Sequence, residues 1–372
     1  MDRSLAPTRP APDAAAPTVE LPPLRVAFTV LSIALMPFPL ILHGWGDPKL
    51  PYDYLTIVFP VDIAFAGLLA TGAGATVGRL RRREAGLGTV VWCALAVVLS
   101  VAWLAHPSGR GLHTLFELWA IAVLASTIDE VWSELPGRIV LGTVAIVAIV
   151  EAAWATAQLI LRSSVGLTSL GENSNPLWPF PNGALAPMGS TVHPYVLAGL
   201  ALVACAVLAG HAVTAERRAP WLAAAAAAAV PIGFTFSRAG LLGFGLLVAC
   251  LGLAALMRRP LARRYLAAAL ALCIGAGVPA AVWNAGWRGR AAQTTQATTA
   301  ASLTTERGRL DHEALVQLGS HPLTGVGPGR YVIALKQRYG TEPDRRVSVF
   351  KPVHNLIKDS GHEQRRNPKA NS

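Results

Sequence analysis

Long apolar runs separated by short polar loops fill the first three quarters of the chain. Each run comes close to the roughly 20 residues that an α-helix needs to cross a bilayer. The runs span residues 24–42, 54–78, 86–105, 112–132, 139–161, 191–213, 221–236, 239–256 and 266–283. The pattern predicts an all-α polytopic membrane protein with about nine transmembrane helices. The loop 162–190 is rich in Gly, Asn and Pro, and we expect no regular element there.

Arginine clusters follow alternate runs and set the expected orientation. They lie at residues 79–83, 138, 217–218 and 258–264. With the N-terminus placed inside, the inside segments hold about 14 Lys and Arg residues, and the outside loops before Trp283 hold about four. Because this bias orients membrane helices, we expect a cytoplasmic N-terminus and residues 284 onward on the outer side.

The chain divides into four parts on this basis. Residues 1–23 carry Ala, Pro and scattered charges without apolar periodicity, which predicts a disordered cytoplasmic tail. Residues 24–283 form a transmembrane helical domain, and residues 284–355 form an exported loop that carries catalytic-type residues. Residues 356–372 form a polar tail.

Composition agrees with membrane residence. Hydrophobic residues make up 53% of the chain and charged residues only 14%, against about a quarter in soluble domains. The net charge of +11 would by itself allow a nucleic-acid partner. The arginines, however, lie between apolar runs without interleaved aromatic residues, so we expect no such partner. The four cysteines lie inside apolar runs without a C-x-x-C pair, which signals neither zinc nor disulfides.

The exported loop has a recognisable order of elements. A capping threonine and an acidic first turn predict a short amphipathic helix at about residues 306–318. The pair His321-Pro322 ends this helix, and the glycines that follow at alternate positions form a turn with accessible backbone amides. The glycine spacing is weak evidence for a nucleotide site, because it neither follows a strand nor opens a helix.

Five polar residues lie within or beside the apolar runs. Arg238 separates two runs on the expected outer side, where it either snorkels to the interface or clamps an anion. Asp62, Glu117 and Glu151 fall inside membrane runs, where acids are functional candidates by default, although each could instead bond a neighbouring helix. We expect His193, at a helix start, to be structural or interfacial rather than a base.

Taken in order, these elements resemble the O-antigen ligase/polymerase superfamily of membrane glycan transferases. The matching elements are Asp62, Gly189-Ser190-Thr191-Val192-His193-Pro194, Thr235-Phe236-Ser237-Arg238-Ala239-Gly240, Arg309, His321-Pro322-Leu323-Thr324-Gly325-Val326-Gly327-Pro328-Gly329 and His354-Asn355. The resemblance covers most of residues 24–355. It implies a metal-independent, inverting transfer of a glycan from a polyprenyl diphosphate to a hydroxyl, on the outer face of a bacterial cytoplasmic membrane.

The resemblance also implies roles for particular residues. Arg238 and Arg309 would hold the diphosphate, and His354 would be the base or the orienting partner for the acceptor hydroxyl. The candidate lining of the substrate path is Asp62, His193, Gly325 and Gly327. No metal or cofactor is implied. The implied partners are the lipid-linked glycan donor, a glycan, lipid or protein hydroxyl acceptor, and membrane lipid.

Two departures from the family pattern change the expectation. The family has Asn where this chain has Tyr195. The family's His-Asn element also leads into further membrane helices, whereas residues 356–372 here are polar. We therefore expect the chain to be truncated or frame-shifted near Asn355 rather than divergent there.

Two other functions compete with glycan transfer from a diphosphate. A lipid-glycan flippase would carry charged residues through several helices and internal repeats, whereas we find three acids and no repeat. A glycosyltransferase that uses polyprenyl-monophosphate sugars would place acidic residues in the first outer loop. Asp47 and Asp53 lie there without adjacent pairing. Ligase and polymerase, the sugar and the acceptor all stay open at this point.

Overall fold

The computed structural model describes residues 22–38, 43–45, 56–131, 135–170, 172–179, 184–282, 287–288, 306–322, 324–328, 330–331 and 334. Apolar helices account for most of them. These are α1 Pro23–Leu35, α2 Pro60–Arg82, α3 Leu87–Ala105, α4 Gly109–Val131, α5 Leu135–Leu161, α6 Pro194–Thr214, α7 Ala219–Phe234, α8 Arg238–Met257 and α9 Ala262–Val282. A polar helix, α10 Glu306–Ser320, confirms the amphipathic helix predicted after the last apolar run.

Seven of the apolar helices are long enough to cross a membrane, namely α2 to α6, α8 and α9. The other two are shorter, because α1 has 13 residues and α7 has 16. At about 1.5 Å per residue, α7 is roughly 24 Å long, against a hydrocarbon core of about 30 Å. The described chain is therefore an all-α multi-pass membrane protein, and the predicted count of nine includes two helices below spanning length.

Two small antiparallel hairpins correct the predicted element boundaries. β1 His43–Trp45 pairs with β2 Thr56–Val58, so the second apolar run does not begin as helix at residue 54. The helix begins instead at Pro60, whose fixed φ and missing N–H suit a first helical position. In the loop 162–190, β3 Leu177–Pro179 pairs with β4 Leu185–Pro187. The prediction that this loop holds no regular element was wrong.

Contacts between helix ends fix the directions of the first helices. Near the start of α1, Arg25 Nη2 lies 3.0 Å from Oε2 of Glu130 at the end of α4. Near the end of α2, Arg79 Nη2 lies 3.4 Å from Oδ2 of Asp129, also at the end of α4. α2 and α4 therefore run parallel to one another and antiparallel to α1, as alternating membrane crossings require.

The helices form two groups that meet mainly through α1 and α5. Helices α1 to α4 pack on one another, and α5, α6 and α9 pack around α7. The inner face of α7 consists of small residues, and Ala224, Ala225, Ala228 and Ala229 are all buried. Small residues let helix backbones approach closely, so this alanine-rich face suits α7 to a central position in its group. All four cysteines are free.

Candidate functional site

The turn between α7 and α8 is buried and has a strained backbone. Thr235, Phe236 and Ser237 form the turn, and each is at most 4% exposed. Phe236 has φ 51°, in the left-handed region that a bulky side chain rarely adopts. The Ser237 hydroxyl accepts a hydrogen bond of 3.0 Å from the Gly240 N–H and so caps α8. This geometry places Arg238 at the first position of α8.

Aromatic and loop residues cover that turn. The Phe236 ring meets the Trp287 ring edge-on, with centroids 5.4 Å apart. The Trp287 indole N–H donates a hydrogen bond of 2.8 Å to the Gly233 carbonyl near the end of α7. Ala186 of β4 packs against Phe236 from the loop between α5 and α6. The turn is therefore held from two directions in a position that its strained backbone would not favour alone.

Arg238 lines a cavity of about 310 Å³ between the starts of α6 and α8. Its lining consists of Tyr195, Gly199, Leu202, Ser237, Arg238, Ala239 and Gly240. The first three residues of α8, Arg238, Ala239 and Gly240, are part of this lining. A helix N-terminus carries partial positive charge, so two sources of positive potential meet at this cavity. Tyr195, from the first turn of α6, lines the same space.

The segment before α6 is anchored by α5. Gln158 forms a pair of hydrogen bonds with Gly189, donating to its carbonyl at 2.7 Å and accepting from its N–H at 2.9 Å. Ser190 donates to Glu151 through its hydroxyl, and also through its N–H at 3.1 Å. Gly189 has φ 61°, and a Cβ there would overlap the Glu151 carboxylate. Glu151 therefore bonds the segment before α6, whereas the sequence offered a neighbouring helix as its alternative partner.

His193 holds the start of α6 in place. Its Nδ1 accepts a hydrogen bond of 3.1 Å from the Tyr195 N–H. Its ring lies 4.6 Å from the Trp178 ring of β3 and 4.5 Å from the Tyr195 ring, measured between centroids. His193 is 5% exposed. These contacts make the imidazole a cap and a packing surface, in the position that links the β3–β4 hairpin to the Arg238 cavity.

Glu172 is a second anchor of the loop between α5 and α6. Its buried carboxylate accepts from Trp154 at 3.1 Å and from the Val165 N–H at 2.9 Å, among five hydrogen bonds in all. Burial by itself raises the pKa of Glu172. The hydrogen bonds from Val165, Gln158, Ser164 and Trp154 outweigh it and lower the pKa to about 2. Glu172 is therefore a charged acceptor that fixes the loop over the α7–α8 turn.

Asp62 lies in the first turn of α2 rather than in the middle of a membrane run. Its Oδ2 accepts a hydrogen bond of 2.8 Å from the Phe59 N–H, which caps the helix. The same oxygen lies 3.2 Å from Nε2 of His113 on α4, and Glu117 follows one turn later. Glu117 also lines a second cavity of about 320 Å³, which Thr191 and residues at the ends of α1 and α2 complete.

The turn after α10 docks on the connection between α3 and α4. The Ser108 hydroxyl donates a hydrogen bond of 3.2 Å to the Pro328 carbonyl. The rings of His106 and His321 meet edge-on, with centroids 5.2 Å apart. Gly327 has φ 88°, and a Cβ there would lie 2.7 Å from Cβ of His106. The predicted glycine turn is therefore present, and glycine is needed for its close approach to the helix connection.

The predicted site residues are only partly brought together among the described residues. Arg238 joins Tyr195 at one cavity, and the Gly325–Pro328 turn joins the first turns of α4. Arg309 falls in α10, but its side chain lies outside the described part of the chain, and so does the whole of His354. The terminal segments 1–21 and 335–372 also lie outside it. The predicted N-terminal and C-terminal tails therefore stay predictions.

Sequence reasoning missed several residues that shape the site. Glu172 stood alone in a loop without periodicity, and nothing in its neighbours signalled five donors. Phe236 gave no sign of its left-handed backbone, since only the folded turn imposes it. His113 had a usable signal, because His113 and Glu117 are four residues apart and share one helix face.

Comparison with known families gives an independent result. Residues 223–359 match the family model described as O-antigen ligase, which is a little over a third of the chain. The matched segment runs from α7 through the polar segment and includes Arg238, Arg309 and His354. Searches of curated proteins and of solved structures gave no match. The family match supports membership of the O-antigen ligase/polymerase superfamily, and the chain is a multi-pass membrane protein whose residues 223–359 match the O-antigen ligase domain.

Proposed function

We propose that the protein transfers a glycan from a polyprenyl diphosphate to a hydroxyl acceptor on the outer face of the cytoplasmic membrane. The observation that carries this proposal is the position of Arg238, at the buried α7–α8 turn and on the wall of a 310 Å³ cavity. The O-antigen ligase domain supports a role in cell-surface glycan biosynthesis in general. The lysine and arginine bias of the loops supports the orientation, with the N-terminus in the cytoplasm.

Arg238 suits the binding of a diphosphate for three physical reasons. Its guanidinium donates paired hydrogen bonds that match phosphate oxygens. The N-terminus of α8 adds partial positive charge at the same place. Leu202 adds apolar atoms to the cavity wall, and any exclusion of water there would strengthen both effects. The strained, covered turn holds the arginine in place before any substrate arrives.

The reaction follows from the chemistry of the donor. The acceptor oxygen attacks the anomeric carbon while the bond from that carbon to the diphosphate oxygen breaks, which inverts the configuration. The negative charge gathers on the departing diphosphate, where Arg238 and Arg309 stabilise it. His354 takes the proton of the acceptor hydroxyl. The leaving group is already activated, so we propose that the transfer step needs no metal ion.

The start of α6 lies between two cavities. We propose that the donor and the acceptor each use one of them. Tyr195 and Gly199 line the Arg238 cavity, whereas Thr191, Val192 and Val196 line the second one. We place the donor diphosphate in the first cavity and the acceptor's approach along the second. By the family resemblance, we also assign Asp62, His193, Gly325 and Gly327 to the substrate path. A ligase and a polymerase would differ in the acceptor alone.

Reconstitution tests the proposal directly. The purified full chain in proteoliposomes is given a lipid-linked oligosaccharide and a glycan acceptor, and transferred product is measured. Arg238→Ala should reduce transfer at least a hundredfold, and Arg238→Lys should recover only part of it, because lysine lacks the paired donors. The matched control is Arg258→Ala at the opposite end of the same helix. Equal transfer by Arg238→Ala and Arg258→Ala would contradict the assignment.

The same preparation separates the proposal from its competitors. Movement of the lipid-linked glycan across the bilayer without any transfer would favour a flippase. An absolute requirement for added Mg²⁺ would favour a transferase that uses polyprenyl-monophosphate sugars. Transfer to a growing glycan rather than to a lipid or protein hydroxyl would identify a polymerase.

A further inference from the structure

Three metal-ligating side chains converge at the outer ends of α2 and α4. Asp62 comes from the first turn of α2, and His113 and Glu117 lie four residues apart on α4. His113 Nε2 is 3.2 Å from Asp62 Oδ2, and His113 Nδ1 is 4.0 Å from Glu117 Oε2. One ligand atom from each residue falls within 4.8 Å of the other two. This spacing is compact enough for a single ion to reach all three.

The Asp62 carboxylate provides a second, independent observation. The residue is 6% exposed, so more than nine tenths of it is buried. Its Oδ2 accepts a hydrogen bond from the Phe59 N–H and faces His113. Its Oδ1 accepts no hydrogen bond from the described residues. Burying a carboxylate oxygen without a hydrogen-bond partner costs free energy, and a bound cation or a hydrogen-bond donor would offset that cost.

We propose that Asp62, His113 and Glu117 bind a divalent transition-metal ion of the Zn²⁺ class. Two carboxylates and a neutral imidazole carry a total charge of −2, which balances such an ion. Imidazole nitrogen favours Zn²⁺ over Mg²⁺ and Ca²⁺, and three protein ligands plus water make a usual open zinc site. The Phe59 N–H that donates to Asp62 orients the carboxylate, as outer hydrogen bonds do around metal ligands.

The surroundings allow an ion to enter and give it a structural task. The side chain of Glu117 is 36% exposed and that of His113 is 19% exposed, so the site opens on one side. An ion there would join α2 to α4 one to two turns from Ser108, which holds the Gly325–Pro328 turn. The ion therefore stabilises the outer ends of these helices and the docked polar segment. This role is separate from the diphosphate site at Arg238.

Direct binding measurements test the site without any activity assay. The full chain, purified in detergent and stripped with a chelator, is dialysed against Zn²⁺, and bound metal is determined by mass spectrometry. We expect one Zn²⁺ per chain with a dissociation constant in the micromolar range or below. Asp62→Asn and His113→Ala should each weaken binding at least tenfold. His312→Ala, which removes an exposed histidine on α10, should leave it unchanged.

Glu117→Gln provides a variant that keeps the fold, since Glu117 is partly exposed and glutamine has the same shape. Zn²⁺ should raise the melting temperature of the wild-type chain and fail to raise that of Glu117→Gln. Absence of bound Zn²⁺ in the wild-type chain would overturn the proposal in favour of an imidazolium held between two carboxylates. Binding that persists unchanged in both Asp62→Asn and Glu117→Gln would overturn it as well.

Discussion

Removing the charge of Glu172 should loosen the loop that covers the α7–α8 turn. Five donors converge on this buried carboxylate, and four of them outweigh the effect of burial and lower its pKa from an ordinary value near 4.5 to about 2. A difference of about 2.5 pH units corresponds to about 3 kcal/mol in favour of the folded loop. Glu172→Gln keeps the shape but replaces two charged acceptor oxygens by one neutral oxygen and a donor, which faces other donors.

Hydrogen exchange of the loop measures this effect locally. At pH 7, the amides of Val165 and Leu167, which donate to Glu172 in the wild type, should lose about two orders of magnitude in protection in Glu172→Gln. The exposed acid Glu84 provides the matched control, and Glu84→Gln should leave this loop unchanged. Loss of protection below threefold in Glu172→Gln would refute the reasoning.

The sign of the pH dependence follows from the lowered pKa. The carboxylate is charged in both the open and the closed loop above pH 4.5, so its full contribution is present there. As the pH falls from about 4.5 to about 2, the open loop takes up a proton first, and the contribution is lost. Protection of the wild-type loop, corrected for intrinsic exchange rates, should fall across this window. The loop of Glu172→Gln should show no such fall.

Three further perturbations test the packing around the site. Glu130→Gln should lower the free energy of unfolding by about 3 to 5 kcal/mol, because it leaves the buried Arg25 without its carboxylate partner. A denaturant titration in detergent measures this change. Phe236→Gly should be less destabilising than Phe236→Ala by about 1 kcal/mol, because glycine adopts φ 51° without strain; the reverse order would show that the strain is absent. Gly327→Ala should raise hydrogen exchange in residues 324–328 at least tenfold while α7 and α9 stay protected, since its Cβ would collide with His106.

The regular part of the fold was predictable because its driving force is local and additive. The run 86–105 became α3 Leu87–Ala105, and the run 239–256 became α8 Arg238–Met257, each within two residues. Apolar length and flanking arginines set these helices, and both are visible in the sequence. Apolar length alone placed the start of the second helix too early, at residue 54. The helix begins at Pro60, where proline and the capping carboxylate of Asp62 favour a helix start.

The site itself was only partly predictable, since it depends on contacts between distant residues. The sequence pointed to Arg238 and to the glycine turn, whose conformations are encoded within a few residues. Glu172, by contrast, acts through donors from α5 and from its own loop, which meet only after folding. The cluster around His113 likewise joins two helices whose registers no local pattern specifies.

The central claim is that the Arg238 cavity binds the diphosphate of a lipid-linked donor, and equilibrium binding tests it most directly. Binding of a polyprenyl diphosphate to the purified chain in nanodiscs is compared with that of the corresponding monophosphate. The wild-type chain should prefer the diphosphate, and Arg238→Ala should lose at least tenfold in diphosphate affinity, while Arg258→Ala binds like wild type. Equal affinity of the Arg238→Ala and wild-type chains for the diphosphate would contradict the account.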